Sequence, residues 1–370
     1  MIHSLSLTNY RGFDTYRLDG LGPVNLIVGM NNSGKTSVLE AVHFLASGGD
    51  PAVLAQIAFL RGETIFFGED TESLKREAPE ISHFFRGHSL DLGSEFSIGA
   101  DNGLAPLTVR VIQAKLASES QQRLFDRFGE SAAAYSLLVG GGSNGEDEEP
   151  DSWLVSEEGA LLELAYSYHR PRRMRHKAGP PIQHIAPESL EPRSMSDMWD
   201  RVLAERREGE VIEAMRILEG DIVDIVFLTG AQARRSSGQG GILAGFRETK
   251  GRLPLGSLGE GVRRLLALSL SLIHSANGTL LIDEIDTGLH WSVMRDMWRL
   301  VIRTARDSNV QVFATTHSLD CLRGLAWLHE SDPDVAQHVM VHKLDRNLKE
   351  SVAFDASQVQ TAVEQEIELR

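Results

Sequence analysis

The chain has a single cysteine, Cys321, among 370 residues. No internal disulfide can form, and the thiol reads as a buried filler in a protein kept reduced. Long apolar runs are also missing. Residues 265–273 and 279–282 are typical of what there is, against about 20 residues needed to cross a bilayer, so no helical span is expected. Met1-Ile2-His3-Ser4 lacks a basic stretch leading into an apolar one. A secretory leader is therefore not expected, and the expected location is cytoplasmic. Positive charge is scarce, with 37 Lys and Arg against 52 Asp and Glu and a net charge of -15. Such a surface repels phosphate backbones, which argues against a free-standing nucleic-acid binder but leaves room for a local basic patch. There is no internal repeat and no long heptad run, so a long coiled coil is excluded.

What is present is an ordinary globular composition, 42% hydrophobic and 24% charged, with ample material for a core. Ile2-His3-Ser4-Leu5-Ser6-Leu7 alternates as a half-buried strand does. A turn at 9–13 follows, then a buried strand at 24–28 that runs into a glycine-rich loop and a helix at 36–46. Residues 96–115 and 161–168 read as sheet and 121–138 as helix. The stretch 140–150 is polar, glycine-rich and acidic and reads as a surface loop. Residues 170–177 hold four Arg, one Lys and one His. They read either as solvated surface or as a contact for DNA phosphates. Apolar residues at helical spacing over 196–218, interrupted by Gly209, suggest a helical pair. This pair is either an inserted docking arm or an amphipathic core element. A strand at 222–228 and a hairpin at 242–255 come next. Helix 260–274, strand 279–283, helix 291–306 and strand 311–315 then alternate, which calls for a mainly parallel sheet. Strands near 339–344 and 351–354 and a helix at 358–368 close the chain.

Gly29-Met30-Asn31-Asn32-Ser33-Gly34-Lys35-Thr36 satisfies G-x-x-x-x-G-K-[ST] between a strand and a helix. Its glycines let backbone N–H groups turn inward around a phosphate, and the following helix presents its positive end to the same anion. Lys35 is expected to reach the β- and γ-phosphates and Thr36 to ligate Mg²⁺. Thr279-Leu280-Leu281-Ile282-Asp283-Glu284 is an apolar strand ending in two carboxylates. Asp283 is expected to hold Mg²⁺ and Glu284 to polarise the attacking water. Ser257-Leu258-Gly259-Glu260-Gly261, 26 residues before Asp283, makes a second anion-binding turn at a helix start.

Taken in order, these segments resemble the ATP-binding-cassette ATPases. Gly256-Ser257-Leu258-Gly259-Glu260 resembles their signature, Asp286-Thr287-Gly288-Leu289-His290 their D-loop, and Val312-Phe313-Ala314-Thr315-Thr316-His317-Ser318 their switch-histidine strand. The resemblance implies an α/β P-loop fold. It would have a mixed, largely parallel sheet with flanking helices, an antiparallel β lobe and a small helical insertion. It divides the chain into an N-terminal lobe at 1–190, a helical arm at 191–235 and a C-terminal lobe at 236–370. It implies ATP and Mg²⁺ as ligands, with Thr36 and Asp283 at the metal and Lys35, Glu284 and His317 as catalytic groups. Nucleotide contacts are implied from Gly29, Asn31, Asn32, Ser33, Gly34, Lys35, Thr36, Ser37, Arg11, Ser257, Gly259, Gly261 and Asp286. Gln56 is the nearest glutamine for the family's Q-loop, without the usual strand before it.

The opening Leu7-Thr8-Asn9-Tyr10-Arg11-Gly12-Phe13, the phosphate loop, Leu281-Ile282-Asp283-Glu284-Ile285-Asp286 and the ending at 362–370 resemble the overcoming-lysogenization-defect (OLD) group in particular. OLD nucleases add a TOPRIM domain, and the 53 residues after His317 are too few for one, so the ATPase module alone is expected. The resemblance further implies an ATP-dependent head-to-tail homodimer, a separate effector such as a nuclease, DNA as an optional partner, a role in phage defence, and no membrane association.

Overall fold

The structure, a computed structural model, describes residues 1–67, 76–101, 105–114, 135–142, 151–162, 180–187, 190–228, 241–247 and 251–369. Alternating apolar and polar residues give β1 (Ser4–Tyr10) and β2 (Phe13–Asp19), paired antiparallel with Leu7 opposite Tyr16. β3 (Val24–Val28), buried throughout, feeds the glycine-rich loop and α1 (Lys35–Ala46). α2 (Pro51–Arg61) starts on an Asp50 cap with proline in its first turn, where a missing N–H costs nothing. It ends on Gly62 at φ 67, a left-handed C-cap that glycine adopts without penalty. β4 (Thr64–Phe67) and β5 (Arg76–Pro79) form a hairpin. β6 (Glu95–Ala100), β7 (Ala105–Gln113), β8 (Tyr135–Gly142) and β9 (Asp151–Val155) extend the first pair into an antiparallel sheet, ordered β2-β1-β6-β7-β8-β9.

The second half begins with β10 (Ile182–Ile185), followed by the helical pair α3 (Pro192–Ala204) and α4 (Glu208–Met215). β11 (Ile222–Phe227), β12 (Ile242–Phe246) and β13 (Arg252–Pro254) make a small antiparallel sheet. Then come α5 (Glu260–His274), β14 (Thr279–Ile282), α6 (Met294–Asp307), β15 (Gln311–Thr315), α7 (Leu319–Ser331) and α8 (Pro333–Ala336). β16 (Val339–Lys343), β17 (Val352–Asp355) and α9 (Ala356–Glu364) complete it.

The strand-helix alternation closes into a sheet ordered β10-β14-β15-β3-β16-β17, parallel except for the edge strand β17. Its inner strands β14 and β15 are buried at every position, as a sheet covered on both faces requires. Successive residues serve opposite cores. Leu280, Ile282, Val312 and Ala314 join the core built with α5, α6 and α7. Leu281, Phe313 and Ile27 join the one built with α1, α2 and the antiparallel sheet. Each buried side chain of this size contributes on the order of 1.5–3 kcal/mol. The C-terminal ends of β3, β14 and β15 therefore emerge together at one edge, where ligands of open α/β sheets bind.

Several local expectations change. Residues 135–138, expected at the end of a helix, and 140–142, expected in a loop, are β8, whose Val139 and Leu137 fill a core position opposite Val109 and Val111. The rest of those two segments, and the basic run 170–177, lie outside the described residues. Of the stretch 161–168, Leu161 forms an isolated bridge to Val155, and residues from 163 on are likewise outside. The helical pair breaks at 205–207, where Arg206 takes φ 55, rather than at Gly209, which α4 absorbs. Its apolar face, with Met195, Met198, Trp199, Val202, Val211 and Met215, is buried in the core it shares with α5. The last helix starts earlier, on an Asp355–Gln358 capping box, and ends at Glu364. No described helix is long and apolar enough to cross a membrane.

Candidate active site

The phosphate loop is built by contacts that only glycine permits. Gly34 sits at φ 100, and a Cβ there would lie 2.4 Å from the Phe13 ring. Gly29 sits at φ 148, where a Cβ would meet Leu344 O and Ser33 Oγ, each at 2.7 Å. Asn32 takes φ 63, a left-handed conformation that asparagine tolerates. The loop is thus wedged between the β1–β2 turn and the segment after β16. α1 begins without a side-chain cap, so its first N–H groups are open to an anion held in the loop. Ser33 Oγ is buried with no hydrogen-bond partner among the described residues, as a group that meets a ligand would be. Lys35 Nζ donates to the carbonyls of Gly29 (2.7 Å) and Met30 (3.1 Å). Burial lowers its pKa, against the raising pull of Asp283 and Glu284. Both glycines, the open helix start and the lysine fit a nucleotide polyphosphate.

The carboxylates converge on this loop. Thr36 Oγ1 donates to Asp283 Oδ2 at 3.0 Å, which places the two expected metal ligands side by side. Asp283 Oδ1 accepts from Thr315 Oγ1 at 2.5 Å, and that same hydroxyl accepts from the Glu284 N–H at 2.9 Å. One buried threonine at the end of β15 therefore orients both acidic residues. Glu284 stands at φ 49, a conformation that costs a non-glycine residue on the order of 1 kcal/mol or more and tends to persist at functional sites. Its side chain lies 3.2 Å from His317 Nδ1 and accepts from Thr287 Oγ1 at 3.3 Å. Thr316 Oγ1 donates to Asp286 Oδ1 at 2.5 Å, tying the segment after β14 to the one after β15. Glu284 and His317 are both substantially exposed, at 38% and 56%, so the pair faces solvent.

Thr315, Thr316 and Thr287 were not singled out by motif. The signal was there: Thr315 and Thr316 follow the apolar run Val312-Phe313-Ala314 at the buried end of β15, where a hydroxyl must find a partner. Arg264 was missed as well. It is 1% exposed on α5, and it donates to Ala186 O (2.8 Å), Asp283 O (2.8 Å) and Glu284 O (2.7 Å). Burial lowers the pKa of this guanidinium, while Asp286 and Asp283 act to raise it. The residue ties the helix that follows the Ser257 turn to the end of β14.

That turn itself is solvent-facing. Ser257 and Gly259 are exposed, Gly259 has φ 94, and α5 starts without a side-chain cap. Gly261 packs on Gly288 and Leu289, where a Cβ would meet Gly288 O at 2.8 Å, so the turn leans on the Asp286–His290 segment. Asn31 and Asn32 are exposed and Ser37 is half-buried at the loop.

Arg11 is not brought to the loop's open surface. It is 5% exposed, pairs with Glu40 (2.8 Å) and with both oxygens of Glu63 (2.8 and 3.1 Å), and lies 4.3 Å over the Phe84 ring. These contacts tie the β1–β2 turn to α1 and to the end of α2. Gln56 is exposed on α2. Beside Asp283, at the end of β10, stand Ala186 and Pro187. They border a cavity of about 270 Å³ together with Thr36, Glu40, His43 and His184.

A family model described as "AAA ATPase domain" matches residues 1–126. One described as "AAA domain, putative AbiEii toxin, Type IV TA system" matches 146–322. An ATP/GTP phosphatase of Helicobacter pylori is 24% identical over 343 residues, covering 86% of this chain and 85% of that protein. A DNA replication and repair protein RecF of Acinetobacter baumannii is 50% identical over 44 residues, 12% of each chain. Among solved structures, an SMC head bound to the C-winged helix domain of ScpA covers 96% of this chain and 98% of its own, at 14% identity and a TM-score of 0.49. Phosphate loop, acidic strand end and a largely parallel sheet, together with the two AAA domain matches, are those of an ATPase with a P-loop fold.

Proposed function

We propose that ATP is hydrolysed between two copies of this chain, each presenting its Ser257 turn to the nucleotide on the other's phosphate loop. The observation that carries this reading is the exposed, uncapped start of α5 at Ser257 and Gly259. It is a second anion-binding terminus, distinct from the loop at Gly29 and open to a partner. Two such halves related by a two-fold axis close both sites at once.

Within each site, the N–H groups of 33–36 and the Lys35 ammonium hold the β- and γ-phosphates. Thr36 and Asp283 are the residues that would hold Mg²⁺, which when bound neutralises charge developing on the phosphates. Glu284, fixed by Thr315 and Thr287, accepts the proton of the attacking water. His317, 3.2 Å from Glu284, senses the γ-phosphate and orients that carboxylate. Gly259 and Gly261 shape the turn that each chain presents to its partner's nucleotide, Asp286 lies in the segment that the turn leans on, and closure expels water from the site. Arg264 links the state of that turn to the carbonyls of Asp283 and Glu284, so nucleotide-driven movement of α5 is felt at the acidic residues.

We also propose membership of the OLD-like group and service to a separate effector in defence against phage. The motifs shared with that group and the toxin–antitoxin wording of the second family match support this. A nucleotide-gated switch that uses the helical pair as its docking face is less favoured, because that pair's apolar face is buried against α5. Analytical ultracentrifugation of Glu284→Gln with ATP and Mg²⁺ tests the assembly. A stable dimer that dissociates when ATP is withdrawn is expected; a monomer at saturating ATP rules it out. Turnover measured with and without DNA then separates a DNA-driven enzyme from one that answers only to a protein partner.

A further inference from the structure

On the far side of β3 from the acidic residues, an arginine leans over the phosphate loop from the C-terminal part of the chain. Arg346 lies in the turn between β16 and β17 and is exposed. Its Nη2 donates to Asn32 Oδ1 at 2.8 Å, and the same nitrogen lies 3.6 Å from where a Cβ on Gly12 would stand. The turn that carries it is fixed on several sides. Leu344 N donates to Val28 O (2.8 Å), and Asp345 N donates to the Tyr16 hydroxyl (3.3 Å). Arg17 N donates to Lys349 O and Ser351 N to Arg17 O, each at 2.9 Å. Leu344 O also packs against Gly29, closely enough to forbid a side chain there. The backbone is therefore rigid and set against the loop, while the guanidinium itself is exposed and, among the described residues, hydrogen-bonded to one neutral amide oxygen.

An arginine left on a neutral acceptor beside a polyphosphate site retains most of its donors and its full charge for an anion. In a chain of net charge -15, it joins Lys35 as a second cation in contact with this loop. Its position in the sheet says which part of the ligand it faces. β14 and β15, which carry Asp283, Glu284 and His317, lie on one side of β3, and β16 lies on the other. The γ-phosphate end belongs to the carboxylate side, so Arg346 faces the opposite end of the nucleotide.

We infer that Arg346 is a nucleotide-binding residue. It leaves Asn32 to contact the part that ATP and ADP share, from β-phosphate to nucleoside. This rests on the assignment of Gly29–Ser37 as the nucleotide loop. Arg346 is then an affinity determinant supplied by the C-terminal hairpin, remote from the γ-phosphate and from the water that attacks it.

The test is titration of ATP and ADP, by calorimetry with Mg²⁺, into the parent, Arg346→Ala, Arg346→Lys and Lys35→Ala. Loss of one charge-assisted hydrogen bond should weaken both nucleotides about ten-fold or more in Arg346→Ala. The two losses should be equal, shrink as salt is raised, and be partly recovered in Arg346→Lys. The melting temperature of the nucleotide-free protein should not move, whereas a purely structural role would lower it. ATP and ADP affinities in Arg346→Ala within about twofold of the parent would overturn the inference, since a surface contact that is never made is worth little. A loss confined to ATP would overturn it too, by placing the contact at the γ-phosphate. If Lys35→Ala also binds ATP as the parent does, the loop assignment itself has failed.

Discussion

Thr315→Val is the most informative single change, because it alters one atom's chemistry and almost no volume. Thr315 is fully buried, donates to Asp283 and accepts from the Glu284 N–H. Valine keeps the shape and removes both bonds. A backbone N–H left without a partner costs about 1–3 kcal/mol, and a hydrogen bond to a carboxylate is worth about 1.5–3 kcal/mol. Allowing for relaxation and water entry, the folded state should lose about 2–4 kcal/mol. The effect on catalysis should be separable. The Thr315 hydroxyl bonds Asp283 and the Glu284 N–H and not the Lys35 end of the phosphate loop, so ATP affinity should fall much less than the rate. The Glu284 carboxylate, released from its strained φ 49 backbone setting, should be misaimed, and kcat should fall about 10- to 100-fold, each factor of ten being about 1.4 kcal/mol of barrier. Thr315→Ser keeps the hydroxyl and should recover most of the rate. Urea melts, nucleotide titration and phosphate release together measure the three quantities. A Thr315→Val protein with parental kcat, or one whose rate loss is matched by an equal loss of ATP affinity, would refute this account of how the carboxylates are held.

Two further expectations concern the same framework. Gly34→Ala places a Cβ 2.4 Å from the Phe13 ring at φ 100; left-handed strain and overpacking of about 1–3 kcal/mol each should reshape the loop and abolish ATP binding, read by calorimetry. Stability should also fall in acid. Burial, helped by the nearby His184, holds His43 down to about 4, and burial holds His342 down to about 4, against 6.5 for the free side chain. The unfolded chain therefore binds more protons between these values, and stability is lost as pH falls from about 6.5 to about 4, by up to about 3 kcal/mol for each group. Urea melts across that range should show the loss, and His342→Phe should flatten it.

The phosphate loop, the acidic strand end and the parallel half of the fold were legible because each is local. A glycine pattern, a buried strand and a helix start lie within a few residues of one another. What the sequence did not display depends on partners distant along the chain. The pairing of Arg11 with Glu40 and Glu63 joins residues 29 and 52 positions apart. Arg264 looked like one more helix charge, yet three carbonyls from two strand ends point at it. Arg346 lies in a turn whose importance depends on β16 pairing with β3. Residues 135–138 read as the end of a helix and the glycines at 140–142 as loop, while their pairing with β7 makes both parts of one strand.

The composite site is tested most directly by mixing two inactive proteins. Lys35→Ala lacks a working phosphate loop and Ser257→Arg blocks the turn, so neither homodimer has a complete site. A mixed dimer contains one complete site, formed by the loop of one chain and the turn of the other. Equal mixing should restore about a quarter of the parental ATPase rate, since random pairing makes half of the dimers mixed and each has one site of two. A mixture as inactive as its components would contradict hydrolysis between two chains.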